Sequence, residues 1–131
     1  MFTSIRTSLE NKAIVTDLTR KLSLGPENVI ARIAFSYSLA SKKKFSLEDI
    51  HDSKGKEYSK NVLFGSNLSY YASLICIHYK LYKSDKDIPK YIKIHIDHGL
   101  QLINKELKQN PNLSGFDFLI DKIDSGLPFI K

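Results

Sequence analysis

His95 and His98 stand three residues apart with Asp97 beside them. On a helix that spacing puts both imidazoles on one face, where two nitrogens can share a cation. A stable site wants three or four protein ligands, and His51 and His78 are too far along the chain for spacing to recruit them. A metal-dependent nickase built on His95, Asp97 and His98 is thus the weakest reading. A packed or hydrogen-bonded histidine pair beside Gly99 is the stronger one. Cys76 is the only cysteine, which excludes an intrachain disulfide and a cysteine-based zinc site. It lies in the apolar run Leu74-Ile75-Cys76-Ile77, and His78 would face elsewhere on a helix. The residue therefore reads as a small buried hydrophobe rather than a thiolate.

Other chemistry is missing. There is no GxxxxGK[ST], GxGxxG or GxSxG, so neither a phosphate-cradling loop nor a nucleophile elbow is signalled. Asp85 and Asp87 read as helix-start chemistry rather than a catalytic dyad. The seven tyrosines and seven phenylalanines read as core and rim rather than a base-stacking platform. The expectation is a protein without catalytic residues, metal or cofactor.

What remains is positive charge. Lys and Arg number 20 against 14 Asp and Glu, a net +6, which makes polyanions plausible partners. The first half of the chain carries all three arginines and the uninterrupted run Lys42-Lys43-Lys44. Arginine forks suit phosphate oxygens, and such contacts release counterions from DNA. The candidate DNA-binding residues are Arg6, Lys12, Arg20, Lys21, Arg32, Lys42, Lys43 and Lys44. The plain alternatives are a solvated loop for the lysine run and a structural ion pair for Arg32.

These side chains must be held by a fold. At 131 residues, with 42% hydrophobic, the chain has the size of one domain with a substantial core. It shows no internal repeat, targeting segment or membrane span, so the cytoplasm is expected. Residues 2–7 look extended. Thr7-Ser8-Leu9-Glu10 matches a capping box, opening a helix over 8–22 with Leu9, Ala13, Ile14, Leu18 and Leu22 inward. Gly25-Pro26 stops it and starts a second helix over 26–40, with Val29, Ile30, Ile33, Ala34 and Tyr37 inward. A short helix begins at Ser46, residues 52–59 form a loop, and 61–65 is a short apolar piece. Asn67 caps a helix over 68–83 whose all-round apolarity marks it as central and buried, or shared with a partner chain. Asp87 caps a helix to about 107. Gly99 in its interior costs roughly 1 kcal/mol relative to alanine, so it should permit a close helix contact. A last helix is expected over 114–123, with a frayed tail at 126–131. The fold class is mainly α. A short strand before two helices is also the start of a ribbon-helix-helix unit, in which two chains pair their strands.

Several segments in this order resemble one family. They are Ile5-Arg6-Thr7-Ser8, Lys12, Arg20-Lys21-Leu22-Ser23-Leu24, Asn28 to Phe35 and Ser38-Leu39-Ala40. They continue with Lys56-Glu57, Leu63-Phe64-Gly65, Tyr70 to Leu74 and His95 to Leu100. Together, over residues 5–104, they resemble the DNA sulfur-modification protein DndE. Leu22-Ser23-Leu24 departs from the more basic, glycine-ended turn of that family. The resemblance implies an accessory factor of a bacterial system that replaces a non-bridging phosphate oxygen of DNA by sulfur. It implies encoded partners, namely a cysteine desulfurase, a reductase-like protein and an ATPase. It also implies binding to double-stranded DNA with a preference for nicks, and assembly as a homotetramer. A second reading is an adaptor that docks on those partners through the helix at 68–83, using Tyr71 or Leu74, with incidental DNA affinity.

Overall fold

A computed structural model describes residues 2–115, 117 and 118. Strand β1 (Ser4–Arg6) leads into α1 (Leu9–Leu22) and α2 (Glu27–Ala40). A 3₁₀ turn (Leu47–Asp49) precedes β2 (Glu57–Ser59), α3 (Lys60–Phe64), a 3₁₀ turn (Gly65–Asn67), α4 (Leu68–Tyr79) and α5 (Ile88–Gln109). The fold is mainly α, as the sequence indicates. Of the helix expected over 114–123, residues 115, 117 and 118 are helical; the rest of that range beyond 118 and the tail at 126–131 lie outside the described residues.

The turn between α1 and α2 forms where Gly25 and Pro26 predict it. Ser23 (φ 52°) and Gly25 (φ 134°) both take positive φ, so the chain reverses within a few residues. The ribbon analogy stops at element order. β1 pairs antiparallel with β2 of the same chain, placing Ser4 opposite Ser59, Ile5 opposite Tyr58 and Arg6 opposite Glu57. The stretch expected as a loop over 52–59 thus holds a strand at its end. Ile5 and Tyr58 turn inward and are buried.

α5 is the axis of the molecule and packs most extensively on α2. Gly99 explains how closely. A Cβ there would fall 1.8 Å from the Ala34 carbonyl oxygen, so the two backbones touch, as the glycine predicts. Around this seam Leu18, Ile30, Phe35, Leu63, Ile75, Ile92, Ile96, Leu100 and Ile103 are wholly buried. Phe35 meets Phe64 edge-on at 5.6 Å and Tyr71 at 5.8 Å, a favoured aromatic geometry.

Two helices bury faces other than the expected ones. In α1 the buried positions are Asn11, Val15, Leu18 and Leu22, while Leu9 is 56% exposed. Asn11 goes inward because its amide has polar partners on α5, described below. α4 is peripheral rather than central. Among its residues only Ala72 and Ile75 are buried, and it ends at Tyr79 rather than at 83. Lys80 adopts φ 57° as the left-handed cap, and the Leu81 N–H returns to the Cys76 carbonyl. Cys76 is half-buried against the core. Among the described residues, no helix is long and apolar enough to cross a membrane.

Candidate nucleic-acid interface

The eight candidate cations fall into two groups, separated by what faces them. On the β1 and α1 side, carboxylates neutralise three of them, Arg6, Arg20 and Lys21. The Arg6 guanidinium lies 3.0 Å from Glu57, its partner across the ladder. Arg20 and Lys21, in the last turn of α1, both grip Asp17, at 2.6 and 3.0 Å. The Lys21 and Arg20 side chains hold the Asp17 carboxyl below the usual carboxylate range. Lys12 shares this exposed face of α1 with Thr16 and Arg20. Such surface pairs contribute little stability, but a phosphate must displace a carboxylate to use their cations.

Lys42, Lys43 and Lys44 stand differently. They follow α2, all three are exposed, and among the described residues none makes an ion pair. Arg32 is half-buried on α2 and likewise has no ion-pair partner among the described residues, so the expected alternative of a structural pair is not seen. Lys43 lies over the Phe45 ring, 5.0 Å from its centroid, a cation–π contact that draws the ammonium to the ring face.

The lysine loop is held from beneath. His78 Nε2 lies 2.8 Å from the Lys43 carbonyl oxygen, and the Phe45 N–H donates to the Tyr79 hydroxyl at 3.0 Å. Tyr79 lies 2.6 Å from His95 Nε2. Ser38 Oγ sits 2.7 Å from Nδ1 of both His95 and His98. The Phe45 ring packs edge-on against both imidazoles, at 5.3 and 4.9 Å. His95 is fully buried. Burial, with His78 and His98 nearby, pushes its pKa down to about 3, so the ring is neutral. Burial and then Lys43 also lower His98. Desolvation is the common cause, since it disfavours the charged form.

The expectation of a hydrogen-bonded histidine pair near Gly99 is met. The nickase constellation does not assemble. Both Nδ1 atoms turn to Ser38, whereas Asp97 turns the other way, to α1. Asp97 Oδ1 accepts from the Ser8 N–H at 3.1 Å and from Asn11 Nδ2 at 2.7 Å, and Oδ2 pairs with Lys93 at 2.8 Å. Among the described residues, no three His, Cys, Asp or Glu side chains converge on a metal position.

The same carboxylate corrects the start of α1. Ser8, not Thr7, is the N-cap, and its side chain makes no capping bond. Asp97 takes the Ser8 N–H, and Asp52 takes the Leu9 N–H at 2.8 Å. Thr7 Oγ1 instead accepts from the Lys56 N–H at 2.9 Å. Between the lysine loop, the start of α1 and α5 lies a cleft of about 480 Å³, lined in part by Glu10, Lys43, Lys44, Asp49, His51 and His98. Its walls carry both signs of charge. Sequence reading missed Ser38, Tyr79 and Asp52, and weighed Asp97 only as a metal ligand beside the histidines. No spacing signal ties Asp97 to the start of α1, which lies nearly ninety positions away.

Comparison with known proteins supports the resemblance. No curated protein matches the chain in sequence. The crystal structure of DndE from Escherichia coli B7A, involved in DNA phosphorothioation modification, superposes with a TM-score of 0.64 at 19% identity. It covers 79% of this chain and 98% of its own. The DndE G21/24K mutant structure gives 0.65 at 22% identity over the same shares. These likenesses show the shared fold. The family model described as DNA sulphur modification protein DndE matches residues 4–111, so the chain belongs to the DndE family.

Proposed function

We propose that this chain is a non-enzymatic accessory component of bacterial DNA phosphorothioation, working in the cytoplasm, and that it binds double-stranded DNA through a basic surface. The observation that carries the DNA reading is the exposed run Lys42-Lys43-Lys44, which has no ion pairs among the described residues and is tied to α4 through the Lys43 carbonyl and, just past the run, the Phe45 N–H. Unpaired cations meet phosphates without first losing a carboxylate, and a fixed loop has less ordering entropy to lose. Lys12 and Arg32 extend the candidate set. Arg6, Arg20 and Lys21 contribute less, because Glu57 and Asp17 compete for them.

Fluorescence anisotropy with intact, nicked and single-stranded DNA, measured across salt concentrations, tests this. Binding with a log–log salt slope of about −0.9 per phosphate contact on duplex supports the reading, and tighter binding to nicked duplex adds the nick preference. No binding at low salt removes it.

A second reading, the adaptor, draws on α4. Alone among the described α-helices, α4 contains no Asp, Glu, Lys or Arg. Tyr70 (62% exposed) and Ile77 (76% exposed) lie two turns apart on its outer face. Interfaces combine depleted charge with aromatic residues in this way. Tyr71, expected as a contact residue, instead stacks on Phe64 at 4.6 Å, so Tyr70 and Ile77 replace it. This face would take the ATPase or reductase-like partner, or another copy in a homo-oligomer. Co-purification with those partners, lost in Ile77→Ser with DNA binding kept, favours the adaptor.

A further inference from the structure

We infer that Lys80, at the end of α4, joins Lys42, Lys43 and Lys44 in one phosphate-binding edge, and that this edge rather than the exposed face of α1 meets the DNA backbone. The inference rests on the DNA-binding reading above and assigns its contact surface.

Two segments about thirty-five residues apart meet here. His78 Nε2 lies 2.8 Å from the Lys43 carbonyl oxygen, and the Phe45 N–H reaches the Tyr79 hydroxyl at 3.0 Å. Lys80 follows two residues after His78, a backbone span of at most about 7 Å. Its backbone therefore starts within about 7 Å of the residue whose ring meets the Lys43 carbonyl. Lys80 is exposed and, among the described residues, makes no ion pair. The acids that follow the lysine run, Glu48 and Asp49, belong to the next turn, where Asp49 Oδ2 accepts from the Ser46 N–H at 2.8 Å, and Asp85, the acid nearest Lys80 in sequence, accepts from the Asp87 N–H at 2.8 Å.

The backbone points the same way. Lys42 (φ 63°) and Lys80 (φ 57°) both hold a left-handed conformation just after the helices they follow. Glycine or asparagine fits such a place with less strain. Lysine at both turns spends conformational freedom to put charge at this edge. A lysine after a helix also complements the negative end of the dipole. That role stabilises the fold but leaves no trace in a DNA salt slope.

The experiment is anisotropy of the full chain with one duplex across salt, comparing wild type with Lys80→Gln, with the double variant Lys42→Gln/Lys44→Gln, and with Arg20→Gln/Lys21→Gln. Unchanged thermal midpoints verify folding. A structural change in Lys80→Gln is controlled by Lys80→Arg, which keeps the charge and should keep the wild-type slope. The expected result is a slope shallower by about 0.9 for Lys80→Gln and about 1.8 for the loop double variant, with Arg20→Gln/Lys21→Gln near wild type. A wild-type slope in Lys80→Gln, or a loss confined to the α1 variant, overturns the edge while leaving DNA binding intact. Absence of binding by the wild-type protein overturns the DNA reading itself, and the edge with it.

Discussion

α5 is flanked by two seams of opposite character. Toward α1 it presents charge. Buried Lys93 and its partner Asp97 fasten the first turn of α1, and Gln101 Nε2 donates to Asn11 Oδ1 at 2.7 Å. Toward α2 and α4 it presents neutral groups beneath the lysine loop, apart from the Glu106 carboxylate further along, which accepts from the Tyr37 hydroxyl of α2 at 2.9 Å. His95 bonds to Ser38 and Tyr79, while Tyr79 stacks on Tyr91 at 4.0 Å. The charged seam carries its cost in desolvation and is stable only while complete. The neutral seam avoids that cost while its histidines stay unprotonated. One helix thus anchors a strand-helix junction by ion pairing and a cationic loop by uncharged hydrogen bonds. A charged partner beneath the loop would compete for its lysines. A neutral one leaves them available to solvent.

Breaking the charged seam should give the largest effect. Asp97→Ala strands the Lys93 ammonium, 6% exposed, and frees the Ser8 and Asn11 donors. Loss of one member of a buried pair costs about 3–5 kcal/mol, readable as a lowered urea midpoint. A change below about 1 kcal/mol would mean that water reaches Lys93 and that the seam is not closed.

The neutral seam should respond to acid. His95 titrates near 6.5 when unfolded and at about 3 when folded, so between these values the unfolded chain binds the extra proton. Stability is then full above about pH 6.5 and declines as pH falls toward 3, by at most about 1.4 kcal/mol per unit for this one group. Urea unfolding from pH 7 to pH 4 measures it. His95→Gln, which keeps polar atoms without titrating, should flatten the slope in this window relative to wild type. An equal slope in both proteins would place the sensitivity elsewhere.

The smallest effect on stability belongs outside both seams. Ile77→Ser on the open face of α4 should shift unfolding by less than about 0.5 kcal/mol, as exposed substitutions do. A destabilisation of 2 kcal/mol or more would show that this face is covered within the chain.

The two seams were not equally legible. Turn chemistry was plain at Gly25-Pro26, and Gly99 announced its contact because a glycine inside a long helix needs a reason. The histidine pair also followed from spacing. Asn11 did not, since apolar periodicity cannot register a polar residue buried for the sake of a partner some ninety positions away. β2 was hidden because Glu57-Tyr58-Ser59 has strand character only when β1 lies beside it. α4 read as central because all-round apolarity describes a composition, while burial is decided by what packs outside. Among the candidate cations, the lysine run was visible as a run. The pairing of Arg20 and Lys21 with Asp17 was open to reading at three- and four-residue spacing. That of Arg6 with Glu57, across the ladder, was not.

Ser38 carries one hydroxyl hydrogen between two imidazoles, and that fixes more than geometry. The Tyr79 oxygen accepts from the Phe45 amide, and His95 Nε2 is the acceptor within reach of its own O–H among the described residues, so its proton is directed there. His95 must then be the Nδ1–H tautomer and donate to Ser38. Ser38 passes its single proton to His98 Nδ1, which makes His98 the Nε2–H tautomer. The reverse polarity would leave the Tyr79 O–H without an acceptor among the described residues. With every donor so satisfied, the two histidines three positions apart are opposite tautomers, and the hydrogen bonds run one way, from the lysine loop through the core to the residue that lines the cleft.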